Sequence, residues 1–255
     1  MRWNVVLSTL AGVGLIPLAV PAAAVAQEDA QPMIYGVYMS CDPAAGDRVS
    51  EIIRDVWAPA VAPHVEAGHL SAWGTLTHHT GGPWNRVLYT VGLDRAQMMD
   101  ALTDIQAQIA DSDMEAWSEM WSSCGRHEDY IWVRNSGSQA AAAVGTARPS
   151  AGLSTYWVCD EGREAVADLI MEKYAALYNA QVEAGLLNSW GWYSHFVGGE
   201  YRRLLVLDGA SHEDLLEARG NVIEGMNSEY PALSAEFSDV CNGHSDYLWN
   251  IESRG

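Results

Sequence analysis

The sequence contains two copies of one unit, and this duplication restricts the fold more than any other feature. Residues 65–92 read VEAGHLSAWGTLTHHTGGPWNRVLYTVG and return without a gap at 182–209, with thirteen of the 28 positions identical. Residues 124–132 (CGRHEDYIW) return at 241–249 as CNGHSDYLW. Two units of about 100 residues therefore fill most of the chain, and both must share one fold.

The first 26 residues have the features of a secretory signal peptide. Arg2 gives a positive start, Val5 to Val20 is almost wholly apolar, and Ala24-Val25-Ala26 offers a small-residue cleavage site. The apolar run is short for a helix that spans a bilayer, so cleavage is favoured over a retained anchor. We therefore expect a secreted or periplasmic protein with no membrane association after cleavage.

The chain is acidic and rich in two of the three aromatic residues. Its formal net charge is −19 at pH 7, which repels nucleic acid and anionic membranes, and we expect neither as a partner. There are 11 tryptophans and 11 tyrosines against two phenylalanines. An aromatic-lined cavity or interface explains this bias about as well as ordinary core stacking does.

Four cysteines in an exported chain are expected to pair. Each unit has one cysteine near its start and one near its end, so the repeat symmetry predicts Cys41–Cys124 and Cys159–Cys241 disulfides. A zinc site is the weaker alternative, because no two cysteines have the short spacing of a metal-binding pair.

Within each unit the pattern predicts the order β-α-β-β-α-β, a ferredoxin-like arrangement. In the first unit we expect strands at 34–41, 70–78, 86–91 and 129–134, a helix at 47–66, a second helix capped by Asp94, and a short helical piece around Trp117. Pro59 and Pro63 should kink or shorten the first helix. In this fold the first and fourth strands are antiparallel neighbours, which brings Cys41 beside Cys124.

The units define the domain organisation. We expect a signal peptide at 1–26, one repeat at 27–134, a linker of small and polar residues at 135–153, and a second repeat at 154–255. Two sheets with one open face each would bury those faces against each other. The predicted fold is therefore α+β, with the repeats paired inside one chain as a pseudo-dimeric barrel.

A local pattern, E-A-G-x-L-x-x-W-G-x-x-x-H-x-x-G-G, occurs at 66–82 and again at 183–199. With the predicted topology, it resembles the dimeric α/β-barrel superfamily of ferredoxin-like domains. That superfamily includes antibiotic-biosynthesis monooxygenases, NIPSNAP-like proteins and stress-responsive barrel proteins. The resemblance implies a pocket in which a histidine often acts as acid or base, but it identifies no single family with a defined reaction.

His78 and His195 are the candidate catalytic residues. Both are retained between the copies at the end of the second strand, and histidine suits proton transfer near neutral pH. A structural histidine that hydrogen-bonds to a strand-end carbonyl is the alternative. His127 and His244 are also retained, but they lack the local spacing of a metal site. We expect no metal and no cofactor.

Aromatic residues at matching positions are the candidate ligand-binding residues. They are Tyr38, Trp73 and Trp132 in the first unit and Tyr156, Trp190 and Trp249 in the second. A regular strand would place Trp73 and His78 on opposite faces, so either a bulge restores a common face or one of them lies between the repeats.

The residues favour a binding protein for a small hydrophobic or aromatic molecule. A cofactor-independent oxygenase, cyclase or isomerase that uses His78 and His195 is the enzymatic alternative. A protein-interaction module is the third. Fold alone does not decide between them, because such domains host many activities.

Overall fold

A computed structural model of the chain describes residues 31–139 and 149–255. The expected signal segment at 1–26 and residues 140–148 of the expected linker lie outside the described residues. Strand structure extends to Gln139 and resumes at Ala151. Residues 135–139 and 151–153, which the composition assigned to the linker, therefore belong to strands that pair within the sheet.

The first half alternates strands and helices in the predicted order. Its elements are β1 (Met33–Ser40), α1 (Gly46–Ile52), α2 (Ala58–Glu66), β2 (Ala72–Gly81), β3 (Arg86–Gly92), α3 (Arg95–Ser123) and β4 (Arg126–Gln139). A π-helical turn at Ile53–Trp57 joins α1 to α2, and the helix is not shortened by its two prolines. The backbone of α3 leaves helical geometry at Asp113, so the segment from there to Ser123 forms the separate short helix expected around Trp117.

The second half repeats this order. Its elements are β5 (Ala151–Val158), α4 (Glu164–Glu183), β6 (Ser189–Val197), β7 (Arg203–Gly209), α5 (His212–Glu229), α6 (Pro231–Val240) and β8 (Gly243–Arg254). Pro231 separates α5 from α6, because proline cannot continue a preceding helix. The N-terminal caps form as expected: Asp94 accepts from the backbone N–H of Gln97 at 2.8 Å, and Ser211 from that of Asp214 at 3.1 Å.

The eight strands form one closed antiparallel barrel in the order β1-β3-β2-β8-β5-β7-β6-β4. In each half the first and fourth strands are neighbours, so β1 pairs with β4 and β5 pairs with β8. The halves join through β2–β8 and β4–β6. The predicted pairing of the two halves within one chain is therefore present.

Each seam between the halves contains a β-bulge at the same place. His79 is the extra residue in the β2–β8 seam and Phe196 in the β4–β6 seam. Each bulged side chain meets the first residue of the other half's helix: His79 stacks on His212 at 4.0 Å between ring centroids, and the guanidinium of Arg95 lies 5.0 Å from the Phe196 ring centroid. The duplication therefore extends to the way in which the two halves dock.

The helices cover the outside of the barrel and bury their apolar faces there. On α4 the buried residues Ala167, Ile170, Met171 and Tyr174 follow the i, i+3, i+4, i+7 spacing of an amphipathic helix. Each half thus has a core between its sheet and its helices. A third core fills part of the barrel interior.

The predicted disulfides are present. Cys41 bonds to Cys124 and Cys159 to Cys241, each joining the residue after a first strand to the residue two positions before a fourth strand. Within the described ranges, no helix is long and apolar enough to cross a membrane.

Candidate ligand site in the barrel

Aromatic rings fill one end of the barrel. The layer consists of Tyr38, Trp84, Tyr130, Trp132, Tyr156, Tyr201, Tyr247 and Trp249. Trp84, from the turn between β2 and β3, stacks on Tyr247 at 5.3 Å, and the indole Nε1 of Trp132 donates to the Tyr38 hydroxyl at 3.1 Å. Gly81 has a φ of +139°, and a Cβ atom there would clash with the carbonyl oxygen of Asp246 and the backbone of Tyr247, so a side chain would disrupt this end.

The other end of the barrel contains a partly open cavity of about 280 Å³, called here the barrel cavity. Much of its wall is apolar, from Ile34, Leu76, Val87, Val91, Leu204 and Val206. Tyr38, Tyr156 and Trp249 border it on the side of the aromatic layer. This combination of an apolar wall and a few polar groups is typical of small-molecule sites.

Strand alternation separates the six predicted ligand-binding aromatic residues. Tyr38, Tyr156 and Trp249 line the barrel cavity, and Trp132 lies in the aromatic layer beside them. Trp73 instead packs under the helices, with its ring 5.3 Å from that of Trp57. Trp190 borders the cavity, but its ring stacks on Tyr178 of α4 at 5.0 Å.

His78 and His195 occupy the two seams and are not brought together. The His78 ring packs edge-on against Trp249 at 6.2 Å, and the His195 ring packs against Trp132 at 6.0 Å. No bulge restores a common face for Trp73 and His78, because the extra residue of that strand is His79. Both histidines bury an Nε2 atom that has no hydrogen-bond partner among the described residues.

The environment of His195 disfavours its charged form. Burial lowers the pKa of His195, and the positive charge of Arg202 lowers it further. A hydrogen bond to the backbone of Gly198 acts in the opposite direction. Neither His195 nor His78 is among the residues that line the barrel cavity.

The polar part of the barrel cavity consists of residues that the sequence did not indicate. Tyr89, Arg134, Tyr193, Asp208 and Arg254 all line it. The repeat has Val206 where the first unit has Tyr89, and Val91 where the second has Asp208. Choosing residues that are identical in both copies therefore found the shared aromatic core but missed these polar residues. A charged residue in a single copy of an otherwise apolar strand was the signal that could have found Asp208.

Ionisation in the barrel cavity is shaped mainly by burial. Burial raises the pKa of Tyr89 to about 12, and the nearby charge of Asp208 adds to the shift. Burial also raises the pKa of Asp208, although Arg254 and a hydrogen bond from Ser189 oppose this. The tyrosines are therefore neutral hydrogen-bond donors near neutral pH.

Each half also has a smaller pocket between its sheet and its helices. The pocket in the second half is about 250 Å³, and the one in the first half is about 180 Å³. A retained histidine borders each of them and lies near a retained aspartate. His244 lies 3.6 Å from Asp246, and His127 lies 3.9 Å from Asp129. No group of three or more metal-ligating side chains occurs in residues 31–139 and 149–255.

Comparison with known proteins identifies the fold. A protein from Fusobacterium nucleatum that is proposed to be a monooxygenase superposes with a TM-score of 0.62 at 8% identity, covering 88% of this chain and 94% of that one. An anthrone oxidase-like protein superposes with a TM-score of 0.57 at 8% identity, covering 89% and 94%. The chain has the dimeric α/β-barrel fold.

Other proteins with this fold differ in their described chemistry. A protein from Lactobacillus acidophilus, also proposed to be a monooxygenase, superposes with a TM-score of 0.59 at 11% identity, covering 88% of this chain and 96% of that one. A chlorite dismutase from Candidatus Nitrospira defluvii superposes with a TM-score of 0.54 at 9% identity, covering 89% and 92%. The sequence matches no family model and no curated protein. At such low identity the dimeric α/β-barrel proteins share a fold with this chain and do not specify its reaction.

Proposed function

We propose that the barrel cavity binds a small hydrophobic or aromatic molecule. The observation that carries this proposal is a cavity of about 280 Å³ bordered by Tyr38, Tyr156 and Trp249. An apolar protein cavity of about 150 Å³ is large enough for benzene, so a two-ring molecule is a reasonable size for this one. Trp132 supports the wall from the aromatic layer. Trp73 has no contact role in this site, and Trp190 contributes at its border.

Titration calorimetry with 2-naphthamide, a neutral two-ring probe, tests the proposal. Wild-type protein is expected to bind the probe at one site. Val206→Phe should weaken binding at least tenfold, because the larger side chain fills the cavity. Val197→Phe is the matched control, since Val197 is 52% exposed and lies outside the cavity. The proposal fails if neither 2-naphthamide nor its carboxylate counterpart, 2-naphthoate, binds, or if both variants bind the probe equally well.

One specific observation supports the enzymatic alternative. His78 and His195 each bury an unpartnered Nε2 atom beside a tryptophan ring, and imidazole nitrogen atoms are suited to proton transfer. Oxygen uptake with anthrone as the probe tests this reading, because one fold relative is an anthrone oxidase-like protein. Catalysis predicts uptake that His195→Gln abolishes without lowering the melting temperature.

The proposal also covers the location of the protein. We assign the protein to a secreted or periplasmic location, which the two disulfides and the signal-like N-terminus support. Intact mass of the exported protein should correspond to a chain beginning at Gln27.

We interpret the barrel as two tandem ferredoxin-like repeats. In each half the first strand is the neighbour of the fourth strand, as this arrangement requires.

A further inference from the structure

The charged residues of the barrel cavity do not balance one another. Arg134 on β4, Asp208 on β7 and Arg254 on β8 all face the same space. In the order of strands around the barrel, β4 and β8 are four positions apart, so the two arginines stand on opposite walls. Two guanidinium groups and one carboxylate leave an excess of positive charge inside an otherwise apolar wall.

Of these three charged groups, Arg254 has the fewest hydrogen-bond partners. Its Nε atom is buried and has no hydrogen-bond partner among the described residues. Its Nη2 atom lies 3.9 Å from Oδ2 of Asp208, which is too long for a hydrogen bond. A buried donor without a partner costs free energy, and an acceptor placed beside it would recover that cost.

Other side chains around the cavity also carry hydrogen-bond donors. The Nε and Nη2 atoms of Arg134 make only long contacts of 3.4 Å, to the carbonyl oxygens of Ser136 and Trp190. Tyr89 and Tyr193 bring phenolic hydroxyl groups to the wall, and burial raises the pKa of both. Among the described residues that line the cavity, Asp208 is the one acid, and it already accepts from the Ser189 hydroxyl at 3.2 Å.

We propose that the molecule bound in the barrel cavity is a small organic monocarboxylate. Its carboxylate accepts hydrogen bonds from the Nε and Nη2 atoms of Arg254, whose planar fork matches the two oxygens. Its aromatic or branched body lies against Tyr38, Tyr156 and Trp249. This inference rests on the proposed function and adds the charge of the ligand to it.

The net charge of the whole molecule cannot be the source of a preference for a carboxylate. The chain has a formal net charge of −19, so its long-range field disfavours anions. A preference for a carboxylate must therefore come from close contacts inside the cavity. Asp208 is the repulsive neighbour that the ligand must tolerate, and its substitution should strengthen the effect.

The experiment compares 2-naphthoate with 2-naphthamide, its neutral counterpart, by titration calorimetry on the full mature chain at pH 7. We expect 2-naphthoate to bind at least tenfold more tightly. Arg254→Met should remove this preference by weakening 2-naphthoate alone, whereas Arg254→Lys should retain part of it. Asp208→Asn should tighten 2-naphthoate binding. Arg126→Met is the matched control, because Arg126 is exposed and lies outside the barrel cavity.

The outcomes separate the two proposals. Equal binding of the two probes, or an unchanged preference in a folded Arg254→Met variant, overturns the carboxylate inference and leaves the barrel cavity as a site for neutral molecules. Binding of neither probe overturns both. If Arg254→Met fails to fold, the comparison passes to Arg254→Lys and Asp208→Asn, and no change in preference in either variant overturns the inference.

Discussion

Asp168 lies on α4 and accepts hydrogen bonds from side chains on the neighbouring strands β6 and β7. Arg203, which is 7% exposed, donates to its two carboxylate oxygens at 2.7 and 2.6 Å, and the indole Nε1 of Trp192 donates at 2.8 Å. Such a bidentate pair holds β6 and β7 against α4. Removal of one partner would leave the guanidinium buried without its counter-charge.

We predict that Asp168→Ala lowers the free energy of unfolding by about 3 kcal/mol, the range for breaking a buried pair. Asp239→Ala is the control. Asp239 also bonds an arginine, Arg163, at 2.8 Å, but its side chain is 72% exposed, so its loss should cost less than about 1 kcal/mol. Urea unfolding of both variants measures the difference, and equal costs would contradict the prediction.

His195 couples stability to pH in a defined direction. Its pKa in the folded chain lies below the ordinary value of 6.5, so the unfolded chain binds the proton more readily. The stability that His195 contributes is complete above pH 6.5 and is lost as the pH falls towards the folded-state value. His195→Gln should therefore flatten the decrease in unfolding free energy between pH 7 and pH 5. An identical slope in the variant and the wild type would rule out this role.

At the scale of elements, the two disulfides offer a matched pair. They join residues 83 and 82 positions apart, so the loop-closure entropy that they remove from the unfolded chain is nearly the same. We predict that Cys41→Ala with Cys124→Ala, and Cys159→Ala with Cys241→Ala, each lower the unfolding free energy by about 4 kcal/mol. Denaturant titration measures both, and a difference of more than about twofold would show that enthalpy dominates one of them.

Elements were largely predictable from sequence where local chemistry fixes them. The caps at Asp94 and Ser211 formed because a short polar side chain can satisfy the first free N–H groups of a helix. The short helix around Trp117 was also predictable. The backbone breaks at Asp113, whose side chain accepts from the backbone N–H of Ala116 at 2.9 Å, and the second unit breaks at the equivalent Tyr230, before Pro231.

The site was less predictable than the elements. Periodicity indicated that Trp73 and His78 lie on opposite faces of β2, but it could not say which face turns towards the barrel. That depends on how the two halves pack. Arg254 and Asp208 converge because β8 and β7 both pair with β5, and no local pattern links them.

At the scale of the molecule, the two halves share the barrel and so should unfold together. Trp132 and Trp249 are fully buried inside it and would be exposed if either half opened alone. We predict one calorimetric transition that coincides with the loss of tryptophan fluorescence and of near-ultraviolet circular dichroism. Two separated transitions would show that each half is stable without the other.

Closure of the barrel also has a consequence for association between chains. Each of the eight described strands is hydrogen-bonded on both sides, so this sheet offers no row of free backbone N–H and C=O groups to a strand from another molecule. A single four-stranded half would expose two such edges. Joining both halves in one chain covers each edge at a fixed local concentration, independent of how dilute the protein becomes, which protects the sheet from edge-to-edge aggregation.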